Sequence, residues 1–362
     1  MPSSQYPKLP HWMALPETKE DLDYAQLPVV DLDEATTASG RAKLSKLVVD
    51  ALVQCGSFYV VNHGYSSAQM DRMHDIANIP FEQLSMEQKQ DYTTDSRRRA
   101  SKSLADGYKF RQYYEIEEEL HDEMETYSLH CQSDRTEHPE PLKPFLPEIC
   151  QFARHNHFDI AYPLLRLLEI GLQMPENALI SIHDFSLDAE SQVAFLKYYP
   201  CEGTDKQGSK NWWLVGETRR DTFSLIYSQP VAAFQILQRD GKWRWVKHVN
   251  NAIIVNVGEA LEIFTGGFFK ATKHRVTRPP ADQRSSPRLG IFYFLVANND
   301  VKMAPLKGNL LLKNGGIGRR FTSGSEPTML QYRYGIGVHV HRTSILGNDV
   351  TETVDARGDN LI

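Results

Sequence analysis

Cysteine is scarce in this sequence: four in 362 residues, at Cys55, Cys131, Cys150 and Cys201. None of the four forms a Cys-x-x-Cys pair. They read as reduced, mostly buried thiols, the expectation for an intracellular chain. No window comes near the ~20 apolar residues that a membrane span needs. The opening stretch MPSSQYPKLPHWMALP holds no apolar core of a signal peptide, so the expected location is cytoplasmic. Excess positive charge is missing too. The formal net charge is -6, which argues against a general binder of nucleic acid, because phosphate contacts need a basic surface. Arg97-Arg98-Arg99 is the one dense basic cluster, and the acidic stretch from Glu115 to Glu125 is its counterpart; both read as solvated. Repeats and low-complexity segments are absent.

What remains is an ordinary globular composition, 41% hydrophobic and 24% charged. The length allows one large or two medium domains and a core that needs no covalent staple. Residues 1–26 are Pro-rich and polar, an arm expected to wrap over the surface. Leu27-Pro28-Val29-Val30-Asp31-Leu32 predicts a short strand. In residues 40–54, Leu44, Leu47, Val48, Ala51 and Leu52 share one helical face. Gly56 to Val61 is a β-rich run closed by the turn Asn62-His63-Gly64. Helices are expected to about residue 90 and again over 145–175. From about 190 the pattern changes to short β-type runs at 193–199, 211–216, 222–227, 231–238, 243–247, 252–257, 271–276 and 288–297. Such a succession after a helical front predicts an α+β chain with an antiparallel jelly-roll core. The expected division is an arm (1–26), an N-terminal module (27–150), the jelly roll (151–305) and a C-terminal extension packed on it (306–362).

LPVVDL and GSFYVVNHGY, then LKYYP and FQILQRDGKWRWVKHVNNAIIVNVGEALEIFTGGFFKATKHRV, occur in an order and spacing that resemble the iron(II)/2-oxoglutarate-dependent dioxygenases of the isopenicillin N synthase-like branch. The resemblance covers about residues 27–300. PPADQRSSPRLGIFYF is similar in style to fungal members acting in secondary metabolism. The resemblance implies a double-stranded β-helix holding Fe(II) by His-x-Asp and a distant His, with three positions left for 2-oxoglutarate and oxygen. It also implies an arginine that pairs with the far carboxylate of 2-oxoglutarate.

His274, in Ala271-Thr272-Lys273-His274-Arg275-Val276, fits the distant histidine. The His-x-Asp frame, placed ahead of Thr222-Phe223-Ser224-Leu225-Ile226-Tyr227, falls on Glu217-Thr218-Arg219. Glu217 therefore stands where the histidine belongs and Arg219 where the aspartate belongs. The literal His157-Phe158-Asp159 lies in a helical stretch, where polar helix positions explain it. His183-Asp184 has the wrong spacing, and His63 belongs to the Asn-His-Gly turn. A guanidinium has no lone pair for a metal and stays protonated. The expectation is a buried Glu217–Arg219 ion pair in the iron position, His274 as a remnant ligand, and no tightly bound Fe(II) or 2-oxoglutarate. For the carboxylate-binding arginine, Arg288 directly precedes the strand Ile291 to Phe294, with Gly290 in place of the family's serine. Arg284-Ser285-Ser286 is the alternative. Tyr198 is the remaining candidate contact for that cofactor.

Three functions follow from these residues. The first is a non-catalytic subunit supporting an active paralogous oxygenase in a heteromer, a homodimer also being open. The second is a redox-neutral isomerase or cyclase for a small apolar metabolite, with Glu217 as general base and Arg219 or Arg288 stabilising an anion. The third is an active dioxygenase with unconventional ligands.

Overall fold

The computed structural model describes residues 7–93, 107–111, 115–117, 120–121, 123–131, 137–185, 189–200, 212–307, 318–335, 339–343 and 349–353. The Arg97–Arg99 cluster and Cys201 lie outside them.

The front end runs β1 (Val29–Asp31), α1 (Ala38–Gln54), β2 (Ser57–Val61), α2 (Ser67–Ala77), α3 (Ile79–Glu82) and α4 (Met86–Asp91). Thr37 caps α1 by accepting from the Gly40 N–H, and Ser66 and Ser85 close capping boxes on α2 and α4. Each such cap satisfies donors that the first turn leaves unpaired. Short strands β3 (Gly107–Lys109), β4 (Glu115–Glu117), β5 (Leu120–His121) and β6 (Met124–Leu129) follow. Then come α5 (Leu146–His155), a π-helical turn over Asn156–Ala161 and α6 (Tyr162–Gly171). Pro163 explains the wide turn: it offers no N–H, and its ring crowds the carbonyl four residues back.

Strands β7 (Gln192–Tyr198), β8 (Trp212–Glu217), β9 (Phe223–Tyr227), β10 (Phe234–Leu237), β11 (Trp243–Trp245), β12 (Ile253–Val257), β13 (His274–Thr277) and β14 (Arg288–Leu295) build two sheets, with α7 (Glu259–Phe264) between β12 and β13. The larger sheet has the order β1-β2-β12-β9-β14-β7-β6-β3 and the smaller β11-β10-β13-β8. The N-terminal segment thus contributes four strands to the main sheet. α8 (Met329–Tyr334) and a hairpin of β15 (His339–Thr343) and β16 (Asp349–Thr353) close the chain.

Strand alternation divides the core in two. Val193, Phe195, Leu225, Val255, Ile291 and Tyr293 face the helices and pack with α1, α2, α5 and α6. Ala194, Leu196, Tyr198, Ile226, Phe292 and Phe294 face the smaller sheet and meet Trp213, Phe234, Ile236 and Val276. This second cluster is the inside of the jelly roll. The arm reaches the barrel from outside: the Ala25 N–H donates to the Trp245 carbonyl at 2.8 Å, and Thr18 and the Lys19 N–H donate to Asp282.

Two expectations change here. Glu125 is not solvated: it is 5% exposed and accepts from Lys89 at 3.2 Å, Tyr199 at 2.8 Å and Tyr108. A buried carboxylate needs that many donors to survive desolvation. The three described cysteines form no disulfide and are only half-buried.

Candidate functional site

β8 and β13 pair antiparallel with Glu217 opposite His274, and a bulge follows His274. This register puts both side chains on the inner face at one end of the barrel. His274 is 6% exposed, and its Nδ1 lies 2.9 Å from the Thr272 carbonyl, which assigns the proton there. Burial lowers its pKa, the nearby Glu217 opposes that shift, and Arg219 adds to it. The imidazole is therefore neutral near pH 7, with Nε2 facing Glu217 Oε1 at 3.9 Å.

Arg219 lies two residues past the end of β8, not on the strand. Its Nη1 is 3.6 Å from Glu217 Oε1, and its guanidinium carbon sits 4.2 Å above the Phe294 ring centre. The ion pair forms as expected, but it is not buried: the side chains are 34% and 38% exposed. Stacking on an aromatic face explains why the cation stays in the barrel mouth. Next to it, Asp221 is fully buried. It accepts from Ser224 at 2.7 Å while its Oδ1 has no partner, and burial pushes its carboxyl up to about 6 against the pull of Arg219.

These residues do not fit an iron ion. Glu217 and His274 offer two donors, and a fixed cation occupies the third direction. Among the described residues, no three of His, Cys, Asp and Glu converge on one point.

The loop after β8 is anchored from outside. Glu259, opening α7, donates its N–H to the Arg219 carbonyl at 2.7 Å and accepts from the Thr218 hydroxyl. Tyr332 and Arg320 bind the same carboxylate. Arg220 donates to the Arg333 carbonyl at 2.7 Å, and Arg333 pairs with Glu190 at 2.9 Å. So α8 holds the loop that carries Arg219.

Six residues along β14 from Phe294, Arg288 is buried at 4% exposure opposite Tyr198 on β7. Its guanidinium carbon lies 5.3 Å from the Tyr198 ring centre. With the Gln229 amide turned so that its carbonyl faces the guanidinium, Gln229 accepts from Nε and from Nη2 at 3.2 Å. Nη1 has no acceptor, and burial lowers the pKa of the group. Gly290 is fixed by close approach: a Cβ there would lie 2.6 Å from the Phe292 ring. Arg284, the alternative, is exposed at the end of a short 3-10 turn and reaches only the Pro279 carbonyl at 3.4 Å. Of the two, only Arg288 faces into the barrel.

The remaining histidines have other partners. His157 is buried rather than a polar surface position. Its Nδ1 lies 2.7 Å from the Tyr293 hydroxyl and its Nε2 2.9 Å from the His183 carbonyl. His183 in turn meets Thr222 at 2.6 Å. Burial lowers both histidines to about 4. Asp159 is exposed and pairs with His155 at 3.0 Å. The His63 Nε2 lies 3.0 Å from the Asn251 carbonyl, fixing the Asn-His-Gly turn. A surface groove of about 660 Å³ lies beside this turn, between Arg41, His155, Phe158 and Arg166. It is on the helical side and holds none of the barrel residues.

Sequence reasoning missed Phe294, Gln229, Asp221 and Trp213. For Trp213 and Phe294 the strand alternation was available as a signal. For Gln229 and Asp221, both outside the strands, there was none.

Residues 190–297 match the 2OG-Fe(II) oxygenase superfamily, and residues 27–148 match the N-terminal domain described as non-haem dioxygenase in morphine synthesis. The chain is 27% identical to a leucoanthocyanidin dioxygenase of Malus domestica over 268 residues, 72% of this chain and 71% of that protein. It is 26% identical to a mugineic-acid 3-dioxygenase of Hordeum vulgare, with 77% and 76% covered. Among solved structures, a full-length Neurospora crassa protein in complex with alpha-KG superimposes with a TM-score of 0.71 at 17% identity, over 85% of this chain and 94% of that one. At that identity the likeness speaks for the jelly-roll fold alone.

Proposed function

The chain belongs to the 2OG-Fe(II) oxygenase superfamily, and from that premise we propose that it is an iron-free member: a non-catalytic subunit that supports an active paralogous oxygenase of secondary metabolism in a heteromer. One observation carries the reading. Where the fold needs a carboxylate ligand, Arg219 reaches into the barrel mouth, paired with Glu217 and stacked on Phe294. A divalent cation placed between Glu217 and His274 meets that guanidinium at close range, and the repulsion is only partly screened in a half-exposed site. The rest of the fold is intact: the barrel, the His274 strand and the arginine of the carboxylate end. Loss confined to the metal ligands, with the scaffold kept, is what a binding role leaves behind.

A second reading has its own support. Glu217 is reachable from the barrel mouth, beside a neutral imidazole and a cation. That arrangement suits a general base with an anion stabiliser, for isomerisation or cyclisation of a small apolar metabolite.

The test is a calorimetric titration of the chelator-treated chain with Fe(II) or Mn(II) under exclusion of oxygen. The expected result is no saturable heat and no 2-oxoglutarate turnover on readmitting oxygen. Stoichiometric metal binding strengthened by 2-oxoglutarate overturns the iron-free reading. Co-expression with active oxygenases of the same family tests the partner: a stable co-purifying complex with raised oxygenase activity is expected, and failure to bind any of them sinks the subunit role. Unchanged turnover of a metabolite by Glu217→Gln excludes the second reading.

A further inference from the structure

Nineteen residues apart in sequence, Cys131 and Cys150 meet on the helical side of the main sheet. Cys131 follows the end of β6 and Cys150 sits in α5; both are half-buried and neither is in a disulfide. The Cys150 thiol donates to the Cys131 carbonyl, with 3.6 Å between sulfur and oxygen. A carbonyl oxygen lies about 2.4 Å from its own Cα, so that sulfur is within about 6 Å of the Cys131 Cα. The Cys131 thiol donates in turn to Cys150 Sγ, which puts the two sulfurs in contact. From contact, side-chain rotation is what separates two thiols from the ~2 Å bond of a disulfide.

The pair is reachable from solvent. Cys150 lines an open groove of about 610 Å³ together with Pro147, Gln151, Arg154 and Phe158. Arg154, one turn along α5, holds its guanidinium over the Phe158 and Phe185 rings, so one wall carries positive charge. The hydrogen bond from the Cys131 thiol lowers the pKa of Cys150, against the burial that raises it. A partly exposed thiol with a favoured thiolate, beside a second thiol, is the setting in which cysteines react with oxidants. Cys55 differs: its thiol donates to the Gln26 carbonyl at 3.8 Å, and burial raises its pKa against the pull of Arg239.

We propose that Cys131 and Cys150 form a peroxide-sensitive dithiol, in which Cys150 reacts from the groove and Cys131 resolves it to a disulfide. The Cys150 thiolate attacks hydrogen peroxide, the O–O bond breaks, and Cys150 becomes a sulfenic acid while the departing hydroxide takes up the thiol proton as water. Cys131 then gives up its proton, attacks Cys150 Sγ and displaces the hydroxyl as a second water. Two thiols are oxidised to one disulfide, and one peroxide is reduced to two waters. The link ties the end of β6 to α5. His155 at the end of that helix, with Phe158 and Asp159 in the π-helical turn after it, lines both this groove and the larger one beside the Asn-His-Gly turn. Oxidation therefore fixes the wall that the two grooves share. Cys131 packs on the helical face of the sheet, away from Glu217 and His274, so the dithiol operates whether or not a metal binds there.

The experiment exposes the reduced full chain, with chelator present, to a small excess of hydrogen peroxide, then counts thiols and maps peptides. Trypsin cuts after Arg135 and so separates the peptide holding Cys131 from the one holding Cys150. The expected result is loss of two of the four thiols, a cross-link between those two peptides, and full recovery with dithiothreitol. Cys131→Ser keeps a hydroxyl that donates to Cys150 Sγ but cannot resolve it, and is expected to stop at a sulfenic acid on Cys150 that dimedone captures. Cys150→Ser is expected to consume peroxide about tenfold more slowly or worse, because the thiolate is the nucleophile. Oxidation that falls first on Cys55 or Cys201, a disulfide between two chains, or survival of all four thiols overturns the proposal. Mapping of the unsubstituted chain decides the cross-link even where a serine variant fails to fold.

Discussion

β14 borders two environments, and its two faces are finished to different degrees. On the helical face, every polar group near Tyr293 has a partner: His157 meets the Tyr293 hydroxyl and the His183 carbonyl, and His183 meets Thr222. On the barrel face, Arg288 keeps an unmet N–H, Trp213 keeps another, and the Arg219 cation rests on Phe294 in partial contact with solvent. The helical face is a structure complete in itself. The barrel face keeps buried donors without an acceptor. The lesson is that the two ends of one barrel are finished independently: Glu217 and Arg219 pair at one end, while buried donors at the other have no acceptor.

The largest effect should come from undoing the refilled end. Glu217→His with Arg219→Asp restores His-x-Asp opposite His274. Metal binding is expected to go from undetectable to about micromolar, roughly 8 kcal/mol, read by Mn(II) titration. Continued absence of binding would mean that ligand type is not what separates this barrel from its relatives.

Acid should strike the helical face next. His157 and His183 have folded pKa values of about 4, below the unfolded value of about 6.5. Between those values the unfolded chain binds more protons, so stability is full above pH 6.5 and is lost as pH falls toward 4. Each buried histidine should account for on the order of 3 kcal/mol of that loss. Denaturant midpoints across this range check it, and a flat profile would contradict the burial of the pair.

A smaller effect of opposite sign is expected from Arg288→Met. Removing a buried cation that lacks an anion should raise the stability of the chain by about 1 kcal/mol, read by denaturant midpoints. Smallest of all, Arg219→Gln should change stability by less than about 1 kcal/mol, because a half-exposed ion pair and stack contribute little. A large loss there would make Arg219 a structural residue rather than a replacement at the metal position.

Much of this was legible in the order of residues. The eight β-type runs beyond residue 190 each fall on an observed strand, because short alternating runs between turn residues leave few other options. Glu217 and His274 were brought together by register alone. The rest depended on what lies across space. Alternation shows that Trp213 points inward but not that its N–H lacks an acceptor. The acidic run containing Glu125 reads as surface, yet Lys89, Tyr108 and Tyr199 converge on it from three separate segments. The Arg219 ion pair was expected inside, but β8 ends at Glu217 and releases Arg219 to the rim.

The facing of Glu217, Arg219 and His274 makes the two positions unequal as routes to a metal site. Reversal at 219 alone, from Arg to Asp, would set two carboxylates against the retained imidazole, three oxygen and nitrogen ligands at once. Reversal at 217 alone would set a second imidazole beside an undiminished cation. Substitution toward a metal site is therefore one-directional, open through position 219 and closed through position 217.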